Sequence, residues 1–212
     1  TQQRVEDMDF GKKSTVPGLD EEYFRQTASG ESFPKEGEFN YKEYTNLVQG
    51  AESGSKGTLA ANPDTSALGL FQFIDKTWFD LMKKHPNLGL TRDGRTDPVQ
   101  SRKAHKAFVQ DNIELLKKDN FSITNKNLYI MHTLGETDGP DMLRRARDGD
   151  TQKASKLLEK THGSPIISEK NPTWFENDPT PQGLIDHLAS LIGIPSRADP
   201  STGSYVVKKG DT

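Results

Sequence analysis

Glu52 ends a helix-like segment and is followed by Ser53-Gly54; about seventeen residues further on stands Gly69-Leu70-Phe71-Gln72. A lone carboxyl opposite a Gly-Leu-aromatic-Gln turn suits an acid facing a sugar-binding groove, where it would protonate the leaving oxygen of a glycosidic bond. Two features favour an acid still protonated near neutrality. Glu52 lies four residues after Val48, on or beside the apolar face, where desolvation favours the neutral carboxyl. It also lies in the last turn of its helix, whose negative dipole end disfavours a carboxylate. The plainer alternative is a solvent-facing glutamate near a helix end. The downstream spacing weighs against it, as do Gly54, Gly57 and the polar stretch 61–66, a loop able to border a groove. Gln72 offers an amide for hydroxyl or N-acetyl recognition. Phe71 and Phe73 offer a stacking face, although such a pair taken alone is more often core.

The elements that must position these residues are helical. Tyr44, Leu47, Val48 and Ala51 recur at three- and four-residue spacing, one face of a helix ending near Gly54. Asp75 is placed to cap a second helix bearing Trp78, Phe79, Leu81 and Met82, closed by Pro86. Asp97-Pro98 is a cap followed by a first-turn proline, with Val99, Ala104, Ala107, Phe108, Ile113 and Leu115 behind it. Residues 125–134 carry Leu128, Met131, His132 and Leu134, with Gly135 as terminator. Gly139-Pro140 is expected to open a short helix and Asp150 another with Ala154, Leu157 and Leu158. Thr180-Pro181 starts the last, whose Leu184, Ile185, Leu188 and Leu191 form a stripe ended by Gly193. Few runs alternate as strands do, so the fold class is mainly α, with one domain over residues 41–194.

The flanks differ in composition. Residues 1–40 carry five Lys/Arg against nine Asp/Glu, an acidic and weakly periodic arm expected to be flexible or to wrap the surface, pinned by Tyr23, Phe24, Phe33 and Phe39. Residues 195–204 have a linker composition. Residues 205–212, Tyr205-Val206-Val207-Lys208-Lys209-Gly210-Asp211-Thr212, form an apolar-then-basic run that stops at a turn, like the opening strand of a further module. At 212 residues with 31% hydrophobic and 28% charged content, the core is modest. No run of about eighteen apolar residues exists to span a membrane, and no signal segment stands at the N-terminus, which begins at Thr1. Cysteine is absent, which excludes disulfides and thiolate metal sites. A net charge of −3 gives no nucleic-acid footprint.

Glu52-Ser53 followed by Ser66-Ala67-Leu68-Gly69-Leu70-Phe71-Gln72-Phe73 resembles the soluble lytic transglycosylase (SLT) family of lysozyme-like enzymes. The family's third block, Ala-Tyr-Asn-x-Gly, has its nearest match in Met131-His132-Thr133-Leu134-Gly135, so the likeness covers about residues 41–149. The resemblance implies a mainly helical lysozyme-like fold that cleaves the MurNAc–GlcNAc β-1,4 bond of peptidoglycan and leaves a 1,6-anhydromuramyl end. It implies Glu52 as acid and then base, Ser53 as a supporting hydrogen-bond donor and Gln72 as a substrate contact. Where the family places a tyrosine against the catalytic acid this chain has His132, with Tyr129 one turn earlier on the same face; either could supply that bond. A bond from His132 would add pH sensitivity near neutrality, whereas a structural histidine would not. Residues 205–212 are similar to the first strand and turn of a LysM module, which implies a chain that continues past Thr212. A phage virion protein that opens the wall for genome delivery, with other virion proteins as partners, fits the motifs as well as a bacterial wall-remodelling enzyme. In either case the site of action is the bacterial wall, periplasmic or extracellular.

Other constellations are weaker. His85, His105, His132, His162 and His187 show no metal-ligand spacing, and residues 92–97 lack the acidic ladder of a calcium loop, so neither metal nor cofactor is expected. Glu136 and Asp138 either place a second carboxylate near the groove, which would favour hydrolysis, or cap the helix from Gly139. Arg144, Arg145 and Arg147 are most simply a solvated helix face, with contact to anionic wall polymer as the alternative. Two rivals remain at this level: a muramidase of the same fold, and a non-catalytic wall-binding or virion-structural module.

Overall fold

The computed structural model describes residues 39–63, 65–177 and 179–194, all within the second of two units of the chain, Thr1–Lys35 and Glu36–Thr212. The acidic arm as far as residue 38, the linker and the C-terminal strand lie outside the described residues. The described part is mainly helical and contains seven α-helices and no strand.

Helix α1 (Tyr41–Glu52) is capped by Asn40, whose side-chain oxygen accepts from the Glu43 amide at 3.1 Å. Tyr44, Thr45 and Val48 face inward, and Phe39 packs its ring 5.7 Å from that of Tyr44. The chain then makes a 3-10 segment, Gly54–Leu59, and a loop closed by two isolated antiparallel bridges, Ala61 to Leu68 and Leu68 to Phe73. Helix α2 (Asp75–Lys84) has Ile74, not Asp75, at its N-cap position. It is anchored by Trp78, which is fully buried and donates from Nε1 to the Thr91 carbonyl at 2.9 Å.

Helix α3 (Pro98–Lys118) starts as the sequence predicts: Asp97 accepts from the amides of Val99 and Gln100 at 2.8 Å each, with Pro98 in the first turn. Helix α4 (Asn125–Arg147) is capped by Thr124 and broken at Gly135, where φ is 80° and ψ 177°. Gly135 does terminate a helix, but the next begins directly after it instead of at Gly139-Pro140. Pro140 lies inside the span, close enough behind the break to be tolerated.

Helix α5 (Ala154–His162) starts later than the expected Asp150, which instead accepts from the Gln152 amide and pairs with Arg145. Helix α6 (Ile166–Lys170) and the 3-10 turn Pro172–Phe175 lead to helix α7 (Pro181–Leu191), capped by the Thr180 hydroxyl. The densest packing joins α4 to α7 and α3 to α4. Its apolar centre includes Ile113, Leu116, Leu128, Ile130, Met131, Leu184 and Ile185, each burial worth about 1.5–3 kcal/mol. Of the expected stripe on α7, Leu184, Ile185 and Leu188 are buried, whereas Leu191 is 46% exposed. No helix among the described residues is long and apolar enough to cross a membrane.

Candidate active site

Glu52 is the last residue of α1, and its helix ends there because Ser53 turns back: both its amide and its hydroxyl donate to the Gln49 carbonyl at 3.0 Å. The Ser53 side chain is therefore committed to the helix end, and the residue is 5% exposed. The Glu52 side chain, 21% exposed, faces a groove of about 410 Å³. Burial raises its pKa from 4.5 to about 7, and the Tyr129 hydroxyl, donating to Oε1 at 3.1 Å, pulls part of the way back. Of the two residues able to contact the acid, Tyr129 makes the hydrogen bond. His132 Nε2 lies 3.7 Å from the same oxygen, too far for one.

Of the two readings left open for His132, burial favours the structural one and pushes its pKa down to about 4. Enclosed against Phe73, Phe108 and Tyr129, the imidazole is neutral across the range in which Glu52 titrates. Sensitivity near neutrality belongs to Glu52 itself. Tyr129 is held well above its ordinary pKa by burial and by the adjacent Glu52, so it remains a donor.

Asn62, Ala67, Phe71, Gln72 and Phe73 line the same groove. Gly69 has φ of 84°, and a Cβ there would come within 2.1 Å of the Arg95 carbonyl oxygen, so the turn admits only glycine. Gln72 adopts a left-handed φ of 48°. Its amide nitrogen donates to the carbonyls of Ala60 at 3.0 Å and Gly69 at 2.9 Å. Both amide hydrogens are thereby used within the loop, and what Gln72 can offer a ligand in the groove is its side-chain oxygen. Phe71 and Phe73 line the groove but lie 0% and 3% exposed, so they offer little open stacking face. Phe71 stacks on His105 with ring centroids 3.9 Å apart.

Three contributors were not singled out from sequence. Arg95 clamps the loop from behind, donating to the carbonyls of Ser66 at 2.5 Å and Phe73 at 3.0 Å and pairing with Asp75. Asn171 and Trp174 reach the groove from the 3-10 turn after α6. The available signal was a tryptophan in the polar connector Asn171-Pro172-Thr173-Trp174, where no apolar periodicity gives it a core position. With Leu191, Asn171 and Trp174 line the groove as an apolar edge beside an amide that suits a sugar ring.

Glu136 and Asp138 do not line this groove. Asp138 is 4% exposed and bonded to His162 Nε2 at 2.7 Å, inside α4 rather than at a cap. Glu52 is the sole Asp or Glu lining the groove among the described residues. The arrangement can deliver one proton to a bound ligand near neutral pH and take one back. No family model matches the chain, and a search of the curated proteins finds no match.

Proposed function

We propose that the chain is a peptidoglycan lytic transglycosylase domain of lysozyme-like fold, acting at the bacterial cell wall. The observation that carries the reading is the solitary carboxyl in the groove, lifted to about 7 by burial and held by the Tyr129 hydroxyl. The SLT-like motifs supply the substrate: Glu52-Ser53 ends α1, and the loop 66–73 lines the same groove.

On this reading protonated Glu52 gives its proton to the glycosidic oxygen as the bond from the muramyl C1 breaks. The resulting carboxylate then removes the proton of the muramyl C6 hydroxyl. That oxygen attacks C1 and closes the 1,6-anhydro ring. One bond breaks, one forms, and Glu52 ends protonated as it began. Hydrolysis with inversion needs a second carboxylate about 6.5–9.5 Å from the first to hold water, and the groove offers no such partner among the described residues. The neutral His132 packs beside the acid and takes no proton.

The test is turbidity clearance of purified sacculi. The wild-type chain is expected to clear them, and Glu52→Gln, which keeps the Tyr129 contact, is expected to be inert while still folded. Clearance by a pure Glu52→Gln sample would remove Glu52 from the chemistry.

A further inference from the structure

The loop 60–73 is held by a residue that lies outside it. Arg95 Nη1 donates to the Ser66 carbonyl at 2.5 Å and to the Phe73 carbonyl at 3.0 Å, while Nη2 pairs with Asp75 in the first turn of α2. One guanidinium therefore grips both ends of the segment 66–73. The Arg95 carbonyl closes on its middle, at Gly69, where a Cβ would collide with it. The Ser66 hydroxyl accepts from the Asp75 amide at 3.0 Å and ties the segment to the same point. Arg95 is itself fixed, its side chain 13% exposed in the 3-10 turn Gly94–Thr96. The Gln100 side chain on α3 accepts from the Thr91 amide at 2.7 Å, and buried Trp78 donates to the Thr91 carbonyl. The Asp97 amide returns to the Gly94 carbonyl at 3.0 Å. A continuous set of contacts thus runs from α2 and α3, through Arg95, to the turn that carries Gln72.

What this turn delivers is an oxygen. With both Nε2 hydrogens given to the Ala60 and Gly69 carbonyls, Gln72 meets the groove as an acceptor only. Gly69 belongs to the gripped segment, and its amide donates to the Ala60 carbonyl at 2.8 Å. Both carbonyls that orient the Gln72 amide therefore keep their places only while the segment keeps its own.

We propose that Arg95 is a positioning residue for recognition in the groove: it sets the Gln72 side-chain oxygen there and so selects ligands that present a hydroxyl or N–H to it. Arg95 does not line the groove and acts through Gln72. A lysine in its place would keep the charge and the Asp75 pair, but not the planar fork that serves two carbonyls and a carboxylate at once. The ligand named in the test rests on the peptidoglycan reading; the hold of Arg95 on Gln72 rests on the loop geometry alone.

Two readouts on the full chain test the assignment. The first needs no ligand: the side-chain amide hydrogens of Gln72, followed by NMR, should exchange about tenfold faster in Arg95→Lys than in the wild type. The second is calorimetry with a GlcNAc–MurNAc tetrasaccharide on chains that carry Glu52→Gln to prevent turnover. Arg95→Lys should weaken binding about three- to tenfold. It should weaken binding no further once Gln72→Asn has drawn the oxygen back, a substitution that the left-handed backbone there accepts. Unchanged exchange or unchanged affinity in Arg95→Lys would overturn the inference and leave Arg95 a clamp for stability alone. Additive losses in the double variant would overturn it too, because Arg95 would then act by a route other than Gln72. If the tetrasaccharide binds none of these chains, the glycan reading falls, and the exchange of the Gln72 amide alone decides whether Arg95 sets that side chain.

Discussion

Replacing the buried acid by its uncharged isostere should stabilise the protein, and only above a definite pH. Glu52 has a pKa of about 7 folded against 4.5 as an ordinary glutamate, with burial as the dominant cause. Below 4.5 both the folded and unfolded chains carry the proton, and the group has no net effect. Between 4.5 and about 7 the unfolded chain releases the proton while the folded chain retains it, so stability falls as pH rises. Above that range the folded state bears the full cost of a desolvated carboxylate. Raising the carboxyl from 4.5 to about 7, at about 1.4 kcal/mol for each tenfold change in proton affinity, costs about 3–4 kcal/mol. Glu52→Gln removes the cost but keeps an oxygen for the Tyr129 hydroxyl. Urea unfolding of both proteins from about pH 4 to about pH 8 should show similar stability at the acid end and a variant more stable by about 3–4 kcal/mol at the other. In thermal unfolding that corresponds to roughly 6–16 °C. A difference independent of pH, or one that closes as pH rises, would show that Glu52 is not held in its neutral form and would refute the reasoning.

Tyr129→Phe removes the bond that lowers the Glu52 pKa, so the alkaline limb of activity should move up; a downward move would reassign the hydroxyl. The pH–rate profile of the wild type should contain no histidine limb near pH 6.5, because His132 titrates at about 4; an imidazole signal near neutrality in NMR titration of His132 would contradict that. Trp174→Ala should raise KM about two- to tenfold with a smaller change in kcat, since a half-buried aromatic wall contributes about 0.5–1.5 kcal/mol to a stacked ligand; an effect confined to kcat would place Trp174 elsewhere in the mechanism. Arg95→Ala should destabilise the fold by about 2–4 kcal/mol through the loss of two carbonyl contacts and the Asp75 pair; an unchanged unfolding midpoint would show that the loop holds itself.

Local signals in the chain account for much of the architecture. Asp97-Pro98, Thr124 and Thr180-Pro181 open helices because their side chains satisfy free amides within three residues, a relation visible in sequence. Gly135 marks a helix break for a different local reason, the positive φ of 80° that glycine adopts without strain. The restart directly behind it was not legible, because the burial of Asp138 and its bond to the exposed His162 depend on α5 packing close by. At the site, the placement of Glu52 followed from helix phase. The choice between Tyr129 and His132 did not, since both share one face of α4 and only the distances of 3.1 and 3.7 Å separate them. Gln72 looked like a ligand-facing amide until the left-handed turn at Gly69 brought two loop carbonyls to its nitrogen. Trp174 and Leu191 were hidden because the groove wall they form comes from segments more than a hundred residues after Glu52.

The central claim is that one carboxyl, without a second to activate water, carries the reaction. Mass spectrometry of the soluble products from purified sacculi, digested in ¹⁸O-enriched water, tests it most directly. The account predicts anhydromuramyl products, one water lighter than hydrolytic ones and free of ¹⁸O, that disappear with Glu52→Gln. Reducing ends carrying ¹⁸O would contradict it and mean that a group outside this groove lining positions water.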